Sequence, residues 1–169
     1  MKDNFEQSLA LVLKSEGGFV NNPRDPGGMT NLGVTKATYE RWINGSATEA
    51  QMRALTPADV EPIYREWYWD GVRGDDLPLG VDYCVFDFAV NSGIGTATRM
   101  LQDAAGVVPD GKLGPVSMAA VLKAKPRDLI DMMQTLRLGY LRKISTWPTF
   151  GKGWSKRVQD VTTAALAMV

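Results

Sequence analysis

The spacing of apolar residues along the chain predicts a succession of amphipathic helices. The apolar stripe of the first helix contains Phe5, Leu9, Val12 and Leu13. Similar patterns predict further helices at residues 35–44, 47–55, 56–70, 79–91, 96–105, 115–123 and 126–144, and a final helix that follows a loop at 149–154. Only residues 30–34 alternate as a short strand does. The pattern therefore predicts a mainly α-helical domain with at most a small β-hairpin.

Local signals mark several helix ends. Thr35 is a suitable N-cap for the second helix, and Asn44 is a suitable residue to end it. Thr56, Pro57 and Asp59 together form a strong start signal: a capping residue, a proline in the first position and a carboxylate in the first turn.

Glu16 occupies an unusual position for a carboxylate. It lies four residues after Val12 and so continues the apolar stripe of the first helix. Gly17 supplies a C-cap, which places Glu16 in the last helical turn. Desolvation and the negative end of the helix dipole both favour the protonated carboxyl, the form that a general acid needs.

Asp25 provides a second carboxylate, after eight intervening residues, in a loop rich in Pro and Gly. Such a loop can fold back over a helix end and present its side chains there. Two carboxylates in different settings suit the acid and its partner in glycoside hydrolysis. Spacing alone equally fits a surface Glu16 and a simple turn at Asp25.

Residues 16–35 read Glu-Gly-Gly-Phe-Val-Asn-Asn-Pro-Arg-Asp-Pro-Gly-Gly-Met-Thr-Asn-Leu-Gly-Val-Thr. This segment resembles the signature of glycoside hydrolase family 108, lysozyme-like N-acetylmuramidases found as phage endolysins and bacterial cell-wall enzymes. The resemblance implies a lysozyme-like fold and cleavage of the β-1,4 bond between N-acetylmuramic acid and N-acetylglucosamine in peptidoglycan. It also implies that Glu16 is the catalytic acid.

The same segment is similar to the Glu-x8-Asp-x5-Thr pattern of phage lysozymes. Glu16 and Asp25 match it, whereas Thr30 follows Asp25 after four residues and Asn31 stands in the expected place. We assign Glu16, Asp25 and Thr30 as candidate catalytic residues. Asp25 is expected to orient or activate water, or to stabilise positive charge on the sugar. A carboxylate separation of roughly 5–5.5 Å would indicate a retaining enzyme and ~6.5–9.5 Å an inverting one.

Four residues are candidate substrate-binding residues. Phe19 belongs to the signature, and Asn91 lies in a Val-Asn-Ser-Gly segment that resembles a family segment bordering the substrate cleft. Asn91 either hydrogen-bonds an acetamido group or helps to cap its helix. Trp67 and Tyr68 belong, with Trp69, to an aromatic run too large for one helix face to bury. One of these three rings is expected to stack on a sugar, and the alternative is an apolar core stripe.

The composition excludes several chemistries. The 169 residues include no histidine, which removes Ser-His and Cys-His nucleophiles and the usual zinc ligand. We therefore expect no metal or cofactor, and a mechanism that uses carboxylates only. The single Cys84 cannot form an internal disulfide and is expected in the core of the helix at 79–91. Asp82 and Asp87 are expected on the wetter side of that helix.

Charge is unevenly distributed although the net charge is zero. Residues 1–98 contain 8 Lys and Arg against 14 Asp and Glu, and residues 99–169 contain 11 against 5. The basic second half is either an ordinary set of solvated helix faces or a surface for an anionic wall or membrane. No basic motif of a nucleic-acid-binding module is present. The expected partner is bacterial peptidoglycan, bound by a monomer.

Residues 101–115 contain Leu-Gln and then Asp-Gly-Lys-Leu-Gly-Pro, similar to a pattern of peptidoglycan-binding modules. We therefore predict a lysozyme-like catalytic region at residues 1–92 and a helical peptidoglycan-binding-like region at 93–169, packed as one body. A lytic transglycosylase and a non-catalytic wall-binding module are the alternatives.

The N-terminus has Asp3 and Glu6 where a signal peptide has a basic region before an apolar run. We therefore expect synthesis in the host cytoplasm and action on the cell wall after holin-dependent release.

Overall fold

The computed structural model describes residues 4–21 and 28–169 of the chain. Its α-helices are α1 Asn4–Glu16, α2 Lys36–Ile43, α3 Glu49–Ala54, α4 Pro57–Tyr64, α5 Val81–Ser92, α6 Ile94–Ala104, α7 Pro115–Lys123, α8 Pro126–Leu141 and α9 Trp147–Leu166. A π-helical turn spans Arg65–Trp69 and a 3₁₀ turn spans Gly74–Asp76. The strands are β1 Val20–Asn21, β2 Met29–Asn31 and β3 Val34–Thr35. The prediction of a mainly α, lysozyme-like domain is confirmed.

The chain divides into two compact units. The small unit is Leu9–Trp67, and the large unit combines Met1–Ser8 with Tyr68–Val169. This division reflects spatial compactness. The predicted catalytic and wall-binding regions at 1–92 and 93–169 concern function and stay a prediction.

The small unit contains the β-sheet. Its antiparallel strands follow the order β1-β2-β3, with Thr30 opposite both Val20 and Thr35. The buried Asn31 donates from Nδ2 to the carbonyl oxygen of Met52 at 2.8 Å. Helices leave their last carbonyls without intrahelical partners, so this hydrogen bond satisfies the end of α3 and ties β2 to it.

The predicted helix caps of the small unit are confirmed. The Thr38 N–H donates to Thr35 Oγ1 at 3.1 Å at the start of α2, and Asn44 ends that helix with φ +50°. At the start of α4, the Thr56 N–H donates to Asp59 Oδ2 at 2.7 Å. Capping depends on residues three or four apart, which is why sequence alone identifies it.

The large unit is built around α5. Residues 81–89 of this helix are all buried, and Cys84 is completely inaccessible, as predicted. An aromatic cluster extends this core, because the ring centroid of Trp69 lies 5.3 Å from those of both Phe5 and Phe86. None of the helices among the described residues is long and apolar enough to cross a membrane.

The expectation that Asp87 lies on a wetter side of α5 is wrong. Its side chain is fully buried, with Arg137 Nη1 2.7 Å from Oδ2 and Arg157 Nη2 donating to Oδ1 at 2.8 Å. Two guanidinium groups compensate for the desolvation of the carboxylate. These partners lie 50 and 70 residues further along the chain, so no local pattern around Asp87 identifies them.

The same expectation is wrong for Asp82, which is also fully buried. Its carboxylate accepts hydrogen bonds from Asn4 Nδ2 at 2.8 Å and from the Tyr83 N–H at 2.7 Å. Burial raises the pKa of Asp82 to about 6, although both hydrogen bonds act to lower it.

The predicted loop at 149–154 is wrong as well, because these residues form part of α9. Pro148 lies in the first turn of the helix, where proline is favourable. Gly151 is required for packing, since a β-carbon there would lie 2.6 Å from Cε2 of the Trp147 ring. Glycine here allows the indole to lie against the helix, and it does not break the helix.

We predict that stability depends on the protonation of Asp82. Its folded-state pKa lies above the unfolded value, so its contribution is full at low pH and is lost as the pH rises through about 6. Between pH 5 and pH 7.5 the free energy of unfolding should fall by about 1–2 kcal/mol from this group. Urea unfolding at both pH values, compared with Asp82→Asn, isolates the effect. An equal pH dependence in both proteins would contradict it.

Candidate active site

Glu16 is the last residue of α1, and Gly17 follows it with φ +81°. The predicted glycine C-cap is therefore confirmed. The Glu16 side chain is half-buried in the small unit. The chain leaves the helix directly after the candidate acid and enters β1 four residues later, at Val20.

The backbone of the turn between β2 and β3 lies against the Glu16 side chain. Leu32 and Gly33, the two central residues of this turn, have φ of +50° and +75°. Positive φ at both positions is typical of the tight hairpin turns that match strand twist. A β-carbon on Gly33 would lie 2.8 Å from Glu16 Cγ and would also collide with the Tyr64 hydroxyl. Only glycine fits here.

Tyr64, from α4, connects that helix to the same turn. Its ring is buried, and its hydroxyl donates to the carbonyl oxygen of Leu32 at 2.9 Å. The spacing of apolar residues in the sequence does not reveal this contact. The available signal was the hydroxyl itself, because a buried tyrosine usually pairs its O–H.

Of the other two candidate catalytic residues, the structure describes Thr30 but not Asp25. Thr30 lies in β2 and is half-buried. Asp25 lies outside the described residues, and so does its distance from Glu16. Asn31, which stands in the place where the lysozyme pattern has threonine, is engaged in holding the end of α3. The catalytic roles of Asp25 and Thr30 stay predictions.

Phe19 is half-buried, and a cation covers one side of its ring. The guanidinium carbon of Arg53 lies 4.0 Å from the ring centroid, a cation–π contact. Arg53 also donates from Nη2 to Glu49 Oε1 at 2.7 Å, which fixes its orientation. A sugar would therefore contact the edge or the uncovered face of Phe19, whose role in substrate binding stays a prediction.

Trp67 is half-buried at the end of the small unit. Its ring packs edge-on against Trp42 at 5.7 Å between centroids, and the guanidinium carbon of Arg41 lies 5.0 Å from its centroid. The sequence pattern did not identify either contact. Both orient the Trp67 ring, whose sugar-stacking role stays a prediction.

Three candidates for sugar contact belong to the large unit. Trp69 is fully buried and donates from Nε1 to Asp75 Oδ1 at 3.0 Å, so it is not a stacking platform. Tyr68 is half-buried. Asn91 is exposed in the last turn of α5, and its Oδ1 accepts a hydrogen bond from Ser92 at 3.2 Å. The roles of Tyr68 and Asn91 stay predictions.

The motif similar to wall-binding modules forms a closed polar network. Buried Gln102 donates from Nε2 to Asp110 Oδ1 at 2.8 Å and to Ser117 Oγ at 2.9 Å, and its Oε1 accepts from the Gly111 N–H. Hydrogen bonds from Gln102 and the Lys112 N–H lower the pKa of Asp110. These side chains stabilise their own loop.

Within residues 4–21 and 28–169, no group of three or more His, Cys, Asp or Glu is placed to hold a metal ion.

Comparison with known proteins gives a match to a family model and matches to solved structures. The family model described as Glycosyl hydrolase 108 matches residues 9–93. One solved structure, "Structure of Brucella abortus SagA", is 43% identical in sequence to this chain. The match covers 99% of this chain and 97% of the SagA chain, and the two superpose with a TM-score of 0.88. No curated protein matches.

We predict that Gly33→Ala displaces the Glu16 side chain. The new methyl group would collide with Glu16 Cγ and the Tyr64 hydroxyl, and alanine is strained at φ +75°. Strain alone costs on the order of 1–3 kcal/mol, and a misplaced catalytic group costs further activity, on the order of 10²-fold.

Gly106→Ala is the matched control, because Gly106 also has positive φ, of +71°, but has no atom within 4 Å of a β-carbon. Thermal unfolding and peptidoglycan hydrolysis would be measured for both variants. The control should lose stability but retain its specific activity when folded. Equal activity losses in the two variants would show that strain, and not the position of Glu16, is responsible.

Proposed function

The chain belongs to the glycosyl hydrolase 108 family, and from that premise we propose that it is a muramidase that cleaves the β-1,4 bond between N-acetylmuramic acid and N-acetylglucosamine. Family membership makes the chain a glycoside hydrolase and supports a role as a peptidoglycan hydrolase. The bond that it cleaves and the residues that cleave it are the content of the proposal.

We assign the role of general acid to Glu16, which protonates the oxygen of the leaving sugar. The observation that carries this assignment is the contact of the Glu16 side chain with Gly33, in the turn that Tyr64 holds from α4. A general acid must lie within hydrogen-bond reach of the atom that it protonates, and its position must be fixed. Three elements of the small unit meet at this carboxyl-bearing side chain.

Asp25 is proposed as the partner carboxylate. In the sequence it lies between β1 and β2, whose residues Asn21 and Met29 are paired across the sheet. As the partner carboxylate, Asp25 would activate water or stabilise charge on the sugar, the second role that glycoside hydrolysis requires.

We expect Glu16→Gln to lose nearly all activity while it retains the fold, because glutamine cannot donate the required proton. General acid catalysis contributes on the order of 10²–10⁴-fold. The measurement is the fall in turbidity of purified peptidoglycan, with thermal unfolding to show that the variant folds. Asp25→Asn should show reduced activity that can still be measured.

The matched control is Glu61→Gln, an exposed glutamate on α4 in the same unit, which should leave hydrolysis unchanged. Lysis by Glu16→Gln at a rate close to that of the unsubstituted chain would rule out Glu16 as the acid. Full activity of Asp25→Asn would instead favour a mechanism with a single carboxylate.

A further inference from the structure

The first two turns of α9 carry a row of aromatic side chains in the large unit. Trp147, Phe150 and Trp154 are spaced three and four residues apart, so they follow one face of the helix. The centroid of the Trp154 ring lies 5.8 Å from that of Phe150 and 6.1 Å from that of Trp147. Phe150 is 52% exposed and both indoles are half-buried. We call these three residues the aromatic row.

Two glycines lie beside the aromatic row, and their surroundings differ: Gly151 is buried and Gly153 is exposed. Gly151 is needed because the Trp147 ring lies against it. Gly153 has no such packing reason, since a β-carbon there would have no atom within 4 Å. Glycine in a helix interior costs about 1 kcal/mol relative to alanine. Gly153 lies three residues after Phe150, on the neighbouring helix surface. Glycine at this position therefore lowers helix stability but leaves open space beside the most exposed ring of the row.

The segment around the aromatic row is basic. Residues 132–159 contain six Lys and Arg and no Asp or Glu. Arg137 and Arg157 are engaged with Asp87 inside the large unit. Arg142 is exposed, and its guanidinium carbon lies 6.0 Å from the centroid of the Trp147 ring. The row therefore combines aromatic faces with a neighbouring cation and has no acidic residue nearby in the sequence.

We propose that the aromatic row and Arg142 form a second, non-catalytic binding surface for the glycan strands of peptidoglycan. The apolar faces of sugar rings stack on the aromatic rings, and Arg142 pairs with carboxylates that the strands and their peptides carry. This proposal rests on the proposed function, which makes peptidoglycan the substrate. It gives wall binding to α9 and not to the loop at Gln102, whose polar groups bind one another.

The row suits a glycan better than a membrane surface. Helices that bind at a bilayer surface bury a broad apolar face among the lipids. Here only Phe150 is more than half exposed, whereas the indoles of Trp147 and Trp154 are partly covered. A shallow row of ring faces can stack on sugars but offers little apolar area for insertion.

The test is binding to insoluble peptidoglycan in a Glu16→Gln background, where cleavage does not destroy the ligand. Phe150→Ala should weaken binding about 3- to 10-fold, the effect expected for the loss of one aromatic contact. Phe150→Tyr should bind peptidoglycan as the unsubstituted side chain does. Adding Arg142→Ala to Phe150→Ala should weaken the binding further and make it less dependent on salt. Matched controls are Leu122→Ala, which is 57% exposed on α7, and Lys123→Ala on the same helix.

Normal binding by Phe150→Ala, or an equal loss in Leu122→Ala, would overturn the proposal. So would a Phe150-dependent affinity for phosphatidylglycerol vesicles in place of peptidoglycan, or a change in oligomeric state that accounts for the loss. The assay needs no catalysis, so its failure leaves the hydrolysis measured for the unsubstituted chain unaffected. An absence of hydrolysis with Phe150-dependent binding retained would contradict the proposed function alone and support this surface.

Discussion

The close approach of the Glu16 side chain to the backbone of Gly33 is the constraint on which the candidate active site depends. It requires a residue without a β-carbon, a turn with two positive φ angles, and a hydroxyl from α4 that holds the turn in place. Leu32 is strained in this turn, since a non-glycine residue at positive φ costs on the order of 1–3 kcal/mol. The Tyr64 hydrogen bond to its carbonyl helps to compensate for that cost. The turn is therefore held in a strained conformation that lowers stability, and this conformation fixes the position of the Glu16 side chain.

A different constraint governs the large unit, where Asp87 is buried with Arg137 and Arg157. An unpaired buried charge would cost several kcal/mol, so these three side chains depend on one another. This ion-pair group also changes the interpretation of the charge distribution. Two of the eleven basic residues in the second half of the chain are structural, so the basic surface is smaller than the sequence indicates. Arg142, beside the aromatic row, is among those that remain exposed.

The sequence predicted features that depend on near neighbours and missed those that depend on distant ones. The caps at Thr35 and Thr56 were predicted because their partners are three residues away. The predicted positions of Asp82 and Asp87 are wrong because the side chains that bind them in the core come from residues 50 or more positions away in the sequence. The glycines at residues 149–154 predict a loop, but in the fold Gly151 is required by the ring of Trp147, and the segment is helical. Glu16 was predicted from its place on the apolar stripe, but the contact with Gly33 and the hydroxyl of Tyr64 required the fold.

The proposed reaction is hydrolysis of the bond on the reducing side of N-acetylmuramic acid, with water as the acceptor. Mass spectrometry of the fragments released from purified peptidoglycan, in water enriched in heavy oxygen, identifies both the cleaved bond and the acceptor. Hydrolysis of this bond should release fragments that end in a reducing N-acetylmuramic acid carrying one heavy oxygen atom from the solvent. Fragments that end in an anhydro sugar without the label would indicate a lytic transglycosylase and contradict hydrolysis. Labelled fragments that end in reducing N-acetylglucosamine would contradict the assigned bond.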